Sequence, residues 1–384
     1  MVSSVSDLSK VSVDSVLLPM DALKVEFMRD PNECRSRHEI DTYTRIKLPD
    51  GRRCVVSDRF WNSWCSLQSQ GRSVFDLFSH SEVFNRISKT VGSKVRVAIE
   101  ANKRPDFGGQ VIDGELLSCT HPTKPILPMA DVVELINKYE GKSVQYERGV
   151  VSSTFDCPFP TPYTIVGEDY HTQFTMQMPV DGYGLPLSYL ALLRLICLNG
   201  VVGMTKAFKT SFQLGKGEDH IKDVLHRAMT TFSAEEGFHS FKLRMEAAAQ
   251  SWASLDEASR LCKVLNQAMH GDKMPVARRV EIIEKLDEMC GDPLKTYGLA
   301  GRQELSARRA RTIPVNTSIY EMITFASEVA THDLHATTPR NAVNGWVGTT
   351  ISTEYDLENS LSEFPDWKDF FVKDKKQVQL VVQS

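Results

Sequence analysis

From residue 42 the chain alternates. Tyr43, Arg45 and Lys47 fall on one side and Thr44, Ile46 and Leu48 on the other, the period of two that a half-buried strand needs. Pro49-Asp50-Gly51 then turns the chain into Arg53-Cys54-Val55-Val56, and Asp-Gly between two such runs predicts a hairpin. Residues 59–87 predict short helices anchored by Trp61, Trp64, Leu67, Phe75, Leu77, Phe78, Phe84 and Ile87. A strand is expected over 95–99, a turn over 102–109 around Pro105, and a returning strand over 110–118. Val132, Val133, Ile136 and Tyr139 recur at helical spacing within 129–139. Three more strands follow, around 144–154, 163–166 and 172–178. The first 20 residues, rich in Ser and Val, suggest a loosely held lead-in.

The period changes near Leu190. Glu218 or Asp219 is placed to cap a helix reaching about residue 232. A longer helix is expected over 237–269, because Phe241, Met245, Ala248, Trp252, Leu255, Cys262, Leu265 and Met269 recur at three-to-four spacing. Gly271 ends it. Pro275 opens the next helix and Gly291 closes it. Another helix is expected from Ser318 to His332. Asn, Gly and Thr dominate 337–350, which predicts a loop, and 378–382 predicts a final strand or tail. The order implies an α+β fold: a mostly antiparallel sheet with hairpins, followed by a helix-rich C-terminal half. The expected divisions are a lead-in (1–41), a strand-rich α+β core (42–217), a helical region packed on it (218–335) and a C-terminal loop and tail (336–384). With no linker near residue 200, one elaborated domain is expected.

Composition narrows the class. Of 384 residues, 41% are hydrophobic and 24% charged, which excludes a disordered chain, a collagen-like rod and a disulfide scaffold. No two of the eight cysteines lie two to four residues apart, so the paired spacing of a zinc ribbon is absent and buried reduced thiols are expected. The apolar stretch over 185–204 is broken by Pro186, Arg194, Asn199 and Gly200, too interrupted for a membrane span. The N-terminus has no basic-then-apolar leader pattern. A cytoplasmic protein with no membrane partner is expected.

No catalytic pattern stands out. Gly215-Lys216-Gly217 lacks the upstream glycine and following Ser or Thr of a phosphate-cradling loop. Gly200-Val201-Val202-Gly203 lacks the third glycine of a dinucleotide fingerprint, and no nucleophile elbow is present. No cofactor is therefore expected. His332 and His335 would share a helical face and, with a carboxylate, would suit a metal, but the glutamate-bearing zincin spacing is missing and plain helix-end histidines are the favoured reading. His171 beside Glu168 and Asp169 is a further acid–base candidate.

Charge alters the picture. The formal net charge is −4, yet residues 1–199 carry 22 basic and 24 acidic side chains, 200–315 carry 18 and 15, and 316–384 carry 5 and 10. The positive excess is local. Lys206, Lys209 and Lys216 have no acidic residue between them, and Phe208 and Phe212 interleave. Arg302, Arg308, Arg309 and Arg311 have only Glu304 among them. Cations that neutralise phosphates and rings that stack on bases are what a nucleic-acid groove needs. The same residues also fit core phenylalanines beside a solvated lysine face, and the arginines fit an acidic partner elsewhere in the chain.

The stretch from Tyr170 to Met178, then Asp181-Gly182-Tyr183-Gly184, then Leu193-Arg194-Leu195-Ile196-Cys197-Leu198-Asn199-Gly200 resembles the phage and plasmid family catalogued as domain of unknown function 932. Asn341-Ala342-Val343-Asn344-Gly345-Trp346 and Thr353-Glu354-Tyr355 resemble that family's C-terminal segment. The resemblance covers residues 80–358. It implies a phage, plasmid or prophage setting in a bacterial host, and its anchor motif marks fold more than chemistry. The expectation is a non-enzymatic protein that binds single-stranded DNA without sequence preference, extending to annealing in an oligomeric ring. Lys206, Lys209, Lys216, Arg308, Arg309 and Arg311 would contact phosphates and Phe208 or Phe212 would stack. Two alternatives stand beside it: an assembly protein whose 237–269 helix packs on another subunit, and a metal-dependent nucleic-acid enzyme using His332 and His335.

Overall fold

The computed structural model describes residues 4–34, 37–91, 94–106, 109–157, 163–194, 200–202, 209–211, 226, 235–291 and 314–352. The chain is α+β, with antiparallel hairpins in its N-terminal half and helices in its C-terminal half. The described residues fall into two compact units, drawn from 1–155, 176–187 and 211–230 and from 156–175, 188–210 and 231–384.

The first unit opens with α1 (Val5–Leu8), β1 (Val13–Pro19), β2 (Lys24–Phe27) and α2 (Arg37–Tyr43). Then come β3 (Thr44–Lys47), β4 (Arg53–Val56), α3 (Asp58–Leu67), α4 (Val74–Leu77), α5 (His80–Val91), β5 (Lys94–Pro105) and β6 (Val111–Thr120). The strands form one six-stranded sheet in the order β1-β5-β6-β4-β3-β2. Every pair in it is antiparallel except β4 with β6. The Asp50-Gly51 turn joins β3 to β4 as the sequence predicts, with Gly51 in the left-handed region at φ 92°. The lead-in expectation for 1–41 is corrected: β1 pairs along its whole length with β5, and β2 with β3. The serines of this segment lie mostly outside the strands; β1 itself reads Val-Asp-Ser-Val-Leu-Leu-Pro, and pairing with a neighbour satisfies its backbone groups.

One face of this sheet carries the core. Val95, Val97, Ile99, Leu116, Ile46 and Cys54 pack against Trp61, Trp64, Phe75 and Phe84 from the helices. Trp61 meets Phe60, Trp64, Phe75 and Phe84 edge-on, with ring centroids 5.2–6.3 Å apart, the geometry that aromatic quadrupoles favour. The simple alternation along β3 fails at Arg45. This residue is buried because its guanidinium grips Asp106 at 2.7 and 2.9 Å, with both side chains almost wholly shielded from solvent. Helix α6 (Met129–Lys138) and the hairpin of β7 (Lys142–Glu147) and β8 (Val150–Asp156) follow.

A second sheet runs β12-β11-β10-β8-β7, where β10 is Glu168–Pro179, β11 is Leu187–Arg194 and β12 is Gly200–Val202. Strand β9 (Tyr163–Ile165) pairs with β10, and β13 (Lys209–Ser211) pairs with β11.

The second unit holds α7 (Glu235–Ala249), β14 (Trp252–Ser254), α8 (Leu255–Gly271), α9 (Val276–Cys290), β15 (Pro314–Ser318), α10 (Ile319–Glu328), a π-helical turn (Val329–Asp333) and α11 (Thr337–Ser352). Two expectations change here. The single helix over 237–269 is two helices, separated by β14, which pairs with β15. The break has a local cause: Ser254 and Glu257 form a reciprocal capping box that starts α8 afresh. The predicted loop over 337–350 is α11. Its Val343, Trp346, Val347, Thr350 and Ile351 are buried, and packing on α8 and α10 outweighs the poor helix propensity of Gly, Asn and Thr. Apart from His226, the expected helix near 218–232 lies outside the described residues, as does the chain beyond residue 352. Among the described residues, no helix is long and apolar enough to cross a membrane.

Candidate functional site

Of the eight residues that the sequence nominates for phosphate contact or stacking, Lys206, Phe208, Phe212, Lys216, Arg308, Arg309 and Arg311 lie outside the described residues. Lys209 begins β13, beside β11.

Within the second unit, an open groove of ≈ 680 Å³ lies among β10, β14, α9, β15 and α10. Its geometry starts from a cap. Ser318 Oγ accepts from the Glu321 backbone N–H at 3.1 Å, and Glu321 Oε2 accepts from the Ser318 N–H at 3.1 Å and from Thr317 Oγ1 at 2.9 Å. This box fixes the first turn of α10 and so positions Tyr320. The Tyr320 hydroxyl donates to Glu168 Oε2 at 2.6 Å and lies 2.5 Å from the hydroxyl of the fully buried Tyr170. Each phenol has one proton to give. Tyr170 Oη also lies 3.4 Å from Glu168 Oε2, but with Tyr320 giving its proton to Glu168 at 2.6 Å the shorter contact has Tyr170 donating to Tyr320. The result is a short relay, Tyr170 to Tyr320 to Glu168, that ends on a carboxylate in the groove wall.

At the other side of the groove, Lys285 Nζ lies 3.5 Å from Glu328 and 5.2 Å from the centre of the Phe325 ring. Trp252, Met289 and Asn316 complete this part of the wall. The sign of the groove follows from its lining: Glu168, Glu321 and Glu328 against Lys285. An ammonium resting between a carboxylate and an aromatic face is already present in Lys285. A polyanion would be repelled, so this groove is not a path for a phosphate backbone. Tyr320→Phe is expected to cost about 1–3 kcal/mol, because it removes the 2.6 Å hydrogen bond to Glu168 and leaves Tyr170 only its longer contact with that carboxylate, at 3.4 Å. Chemical denaturation would measure this, and an unchanged midpoint would mean that the relay contributes nothing.

The other chemical candidates disperse. On β10, Glu168 and Tyr170 share one face and His171 takes the other. His171 Nε2 lies 3.7 Å from Asp156, so it does not join Glu168 in an acid–base pair. His332 sits in the π-helical turn, and its neighbour Asp333 is held by Arg278 at 2.8 and 2.9 Å. His335 gives its backbone N–H to Asp272 at 2.6 Å. Among the described residues, no three His, Cys, Asp or Glu side chains are grouped to hold a metal ion. The seven cysteines described are all unbridged, and burial pushes the Cys54, Cys119 and Cys157 thiols up to about 12, far from a reactive thiolate.

The resemblance motif Asp181-Gly182-Tyr183-Gly184 is built around a buried ion pair. Asp181 accepts from Arg59 Nε at 2.6 Å and Nη2 at 2.9 Å, and from the Tyr183 N–H at 3.1 Å. The Arg59 guanidinium also donates to the Tyr183 carbonyl and lies over that ring. Gly149, at φ 83°, sits so close that a side chain there would press on Asp181. Burial raises the Asp181 carboxyl above its ordinary range, and Arg59 pulls it back. The motif thus has a structural part in the first unit. Comparison of the chain with family models, with curated proteins and with solved structures finds no match.

Proposed function

We propose that the chain is a phage- or plasmid-type protein that binds single-stranded DNA without sequence preference, acting in the cytoplasm of a bacterial host as a homo-oligomer and annealing strands. The observation that supports this is the run Lys206, Lys209 and Lys216, uninterrupted by acid and interleaved with Phe208 and Phe212. Such a run supplies both the phosphate neutralisation and the base stacking that a sequence-tolerant groove uses. Arg308, Arg309 and Arg311 add three guanidiniums within four residues. The acidic sign of the groove in the second unit is consistent with the nucleic acid taking a different surface.

The test is filter binding of a labelled oligothymidylate at low salt. Retention is expected at micromolar protein, falling steeply with salt at a slope near −0.7 per phosphate neutralised. No retention at micromolar protein overturns the reading.

A further inference from the structure

The register of the first sheet sets three cations side by side. Lys24 on β2 lies directly opposite Lys47 on β3, and Lys47 lies directly opposite Arg53 on β4. Residues directly opposite in antiparallel pairs share a face, with Cβ atoms about 4.5–5.5 Å apart, and like charges so placed destabilise the sheet. Their neighbours Ile46 and Cys54 are buried in the core and Val25 packs against it. By alternation, the three cations point to the opposite face.

Compensation is partial. Arg53 Nε donates to Glu26 Oε2 at 2.9 Å, and the nearby Asp50 is occupied by Arg52 at 2.8 Å. Lys24 and Lys47 are exposed, and among the described residues neither ammonium has an ion pair or hydrogen bond. Lysine on an edge strand commonly guards against sheet-to-sheet pairing, which suits Lys24 on β2. It does not explain Lys47, because β3 lies between β2 and β4 and has no open edge to guard. Lys47 therefore sits opposite two like charges without an edge to guard.

We infer that the row Lys24, Lys47 and Arg53 is a phosphate-contacting surface for the single-stranded nucleic acid proposed above. The row spans about 10 Å across three strands, and a backbone of negative charges crossing it removes the repulsion. This inference rests on the nucleic-acid reading and adds to it a surface in the first unit, far in sequence from the Lys206 run. Arg53 is engaged by Glu26, so the two lysines carry the expected effect.

The experiment uses the full chain and the variant Lys24→Gln/Lys47→Gln, with fluorescence anisotropy of a labelled oligothymidylate over a salt series. The slope of log affinity against log salt is expected to become shallower by about 1.4, two phosphates at 0.7 each. The variant is also expected to melt at or above the parent temperature, because like-charge repulsion is relieved. A parent that binds and a variant with the same slope overturn the row and leave the nucleic-acid reading standing. A parent that does not bind overturns both. A variant that melts below the parent shows that the lysines stabilise the sheet, and it overturns the like-charge argument even if binding falls.

Discussion

Replacing Arg59 by methionine is expected to cost about 3–5 kcal/mol at neutral pH, the penalty for stranding one partner of a buried ion pair. Asp181 is wholly buried, and Arg59 supplies two of its hydrogen bonds. Burial already raises the folded-state carboxyl above its unfolded value of 3.8, against the pull of Arg59. The sign of the pH dependence follows. A carboxyl raised on folding is protonated more in the folded chain than in the unfolded one. Its contribution is present in acid and is lost as pH rises through the folded-state value. Without Arg59 that value climbs further. The deficit of Arg59→Met relative to the parent is therefore expected to be small below the ordinary carboxylate range and full at neutral pH. Denaturant midpoints measured at both conditions would show this. A deficit of equal size at the two would assign the loss to packing of the arginine stem and not to the stranded charge.

Asp106→Leu is expected to be comparably severe, again about 3–5 kcal/mol. It leaves the Arg45 guanidinium, itself nearly inaccessible to solvent, without its bidentate acceptor. The informative comparison is Arg45→Met with Asp106→Leu together. Apolar replacement of both members of a buried pair is often neutral or better, so the double variant should recover most of the loss. Recovery should stop short of complete, because Arg45 Nη1 also donates to the Thr42 and Thr44 carbonyls at 2.7 and 2.8 Å. Thermal melting of the two singles and the double would decide it. A double variant as unstable as the sum of the singles would mean that Arg45 and Asp106 act independently, contrary to their geometry.

Local devices were legible along the chain. Asp50-Gly51 specifies the hairpin of β3 and β4, because glycine supplies the left-handed backbone the turn needs. Pro275 and Gly291 bracket α9, and of the positions whose spacing predicts α6, Val132 and Ile136 are buried while Val133 and Tyr139 are only half-buried, their place taken by Leu135. One local signal was present and outweighed. Ser254 and Glu257 have the spacing of a capping box, yet the apolar period running through them suggested an unbroken helix. A cap decides where a helix starts even when the hydrophobic stripe continues across it. Likewise Val343, Val347 and Ile351 lie at four-residue spacing under the Asn, Gly and Thr residues that suggested a loop over α11.

What sequence by itself determined is therefore the α+β class, most of the helices and hairpins, and a local excess of positive charge. Each depends on residues a few positions apart. Only the tertiary structure decided which distant groups meet. Arg45 finds Asp106 61 positions away, Arg59 finds Asp181 at 122, and Tyr320 finds Glu168 at 152. The opposition of Lys24 and Lys47 likewise depends on strand register, which a single slip would reverse. The physical reason is the same in each case. Periodicity reports which face of an element is apolar, but the partner of a buried charge or of an exposed cation is set by sheet order and register, and these depend on the whole chain at once.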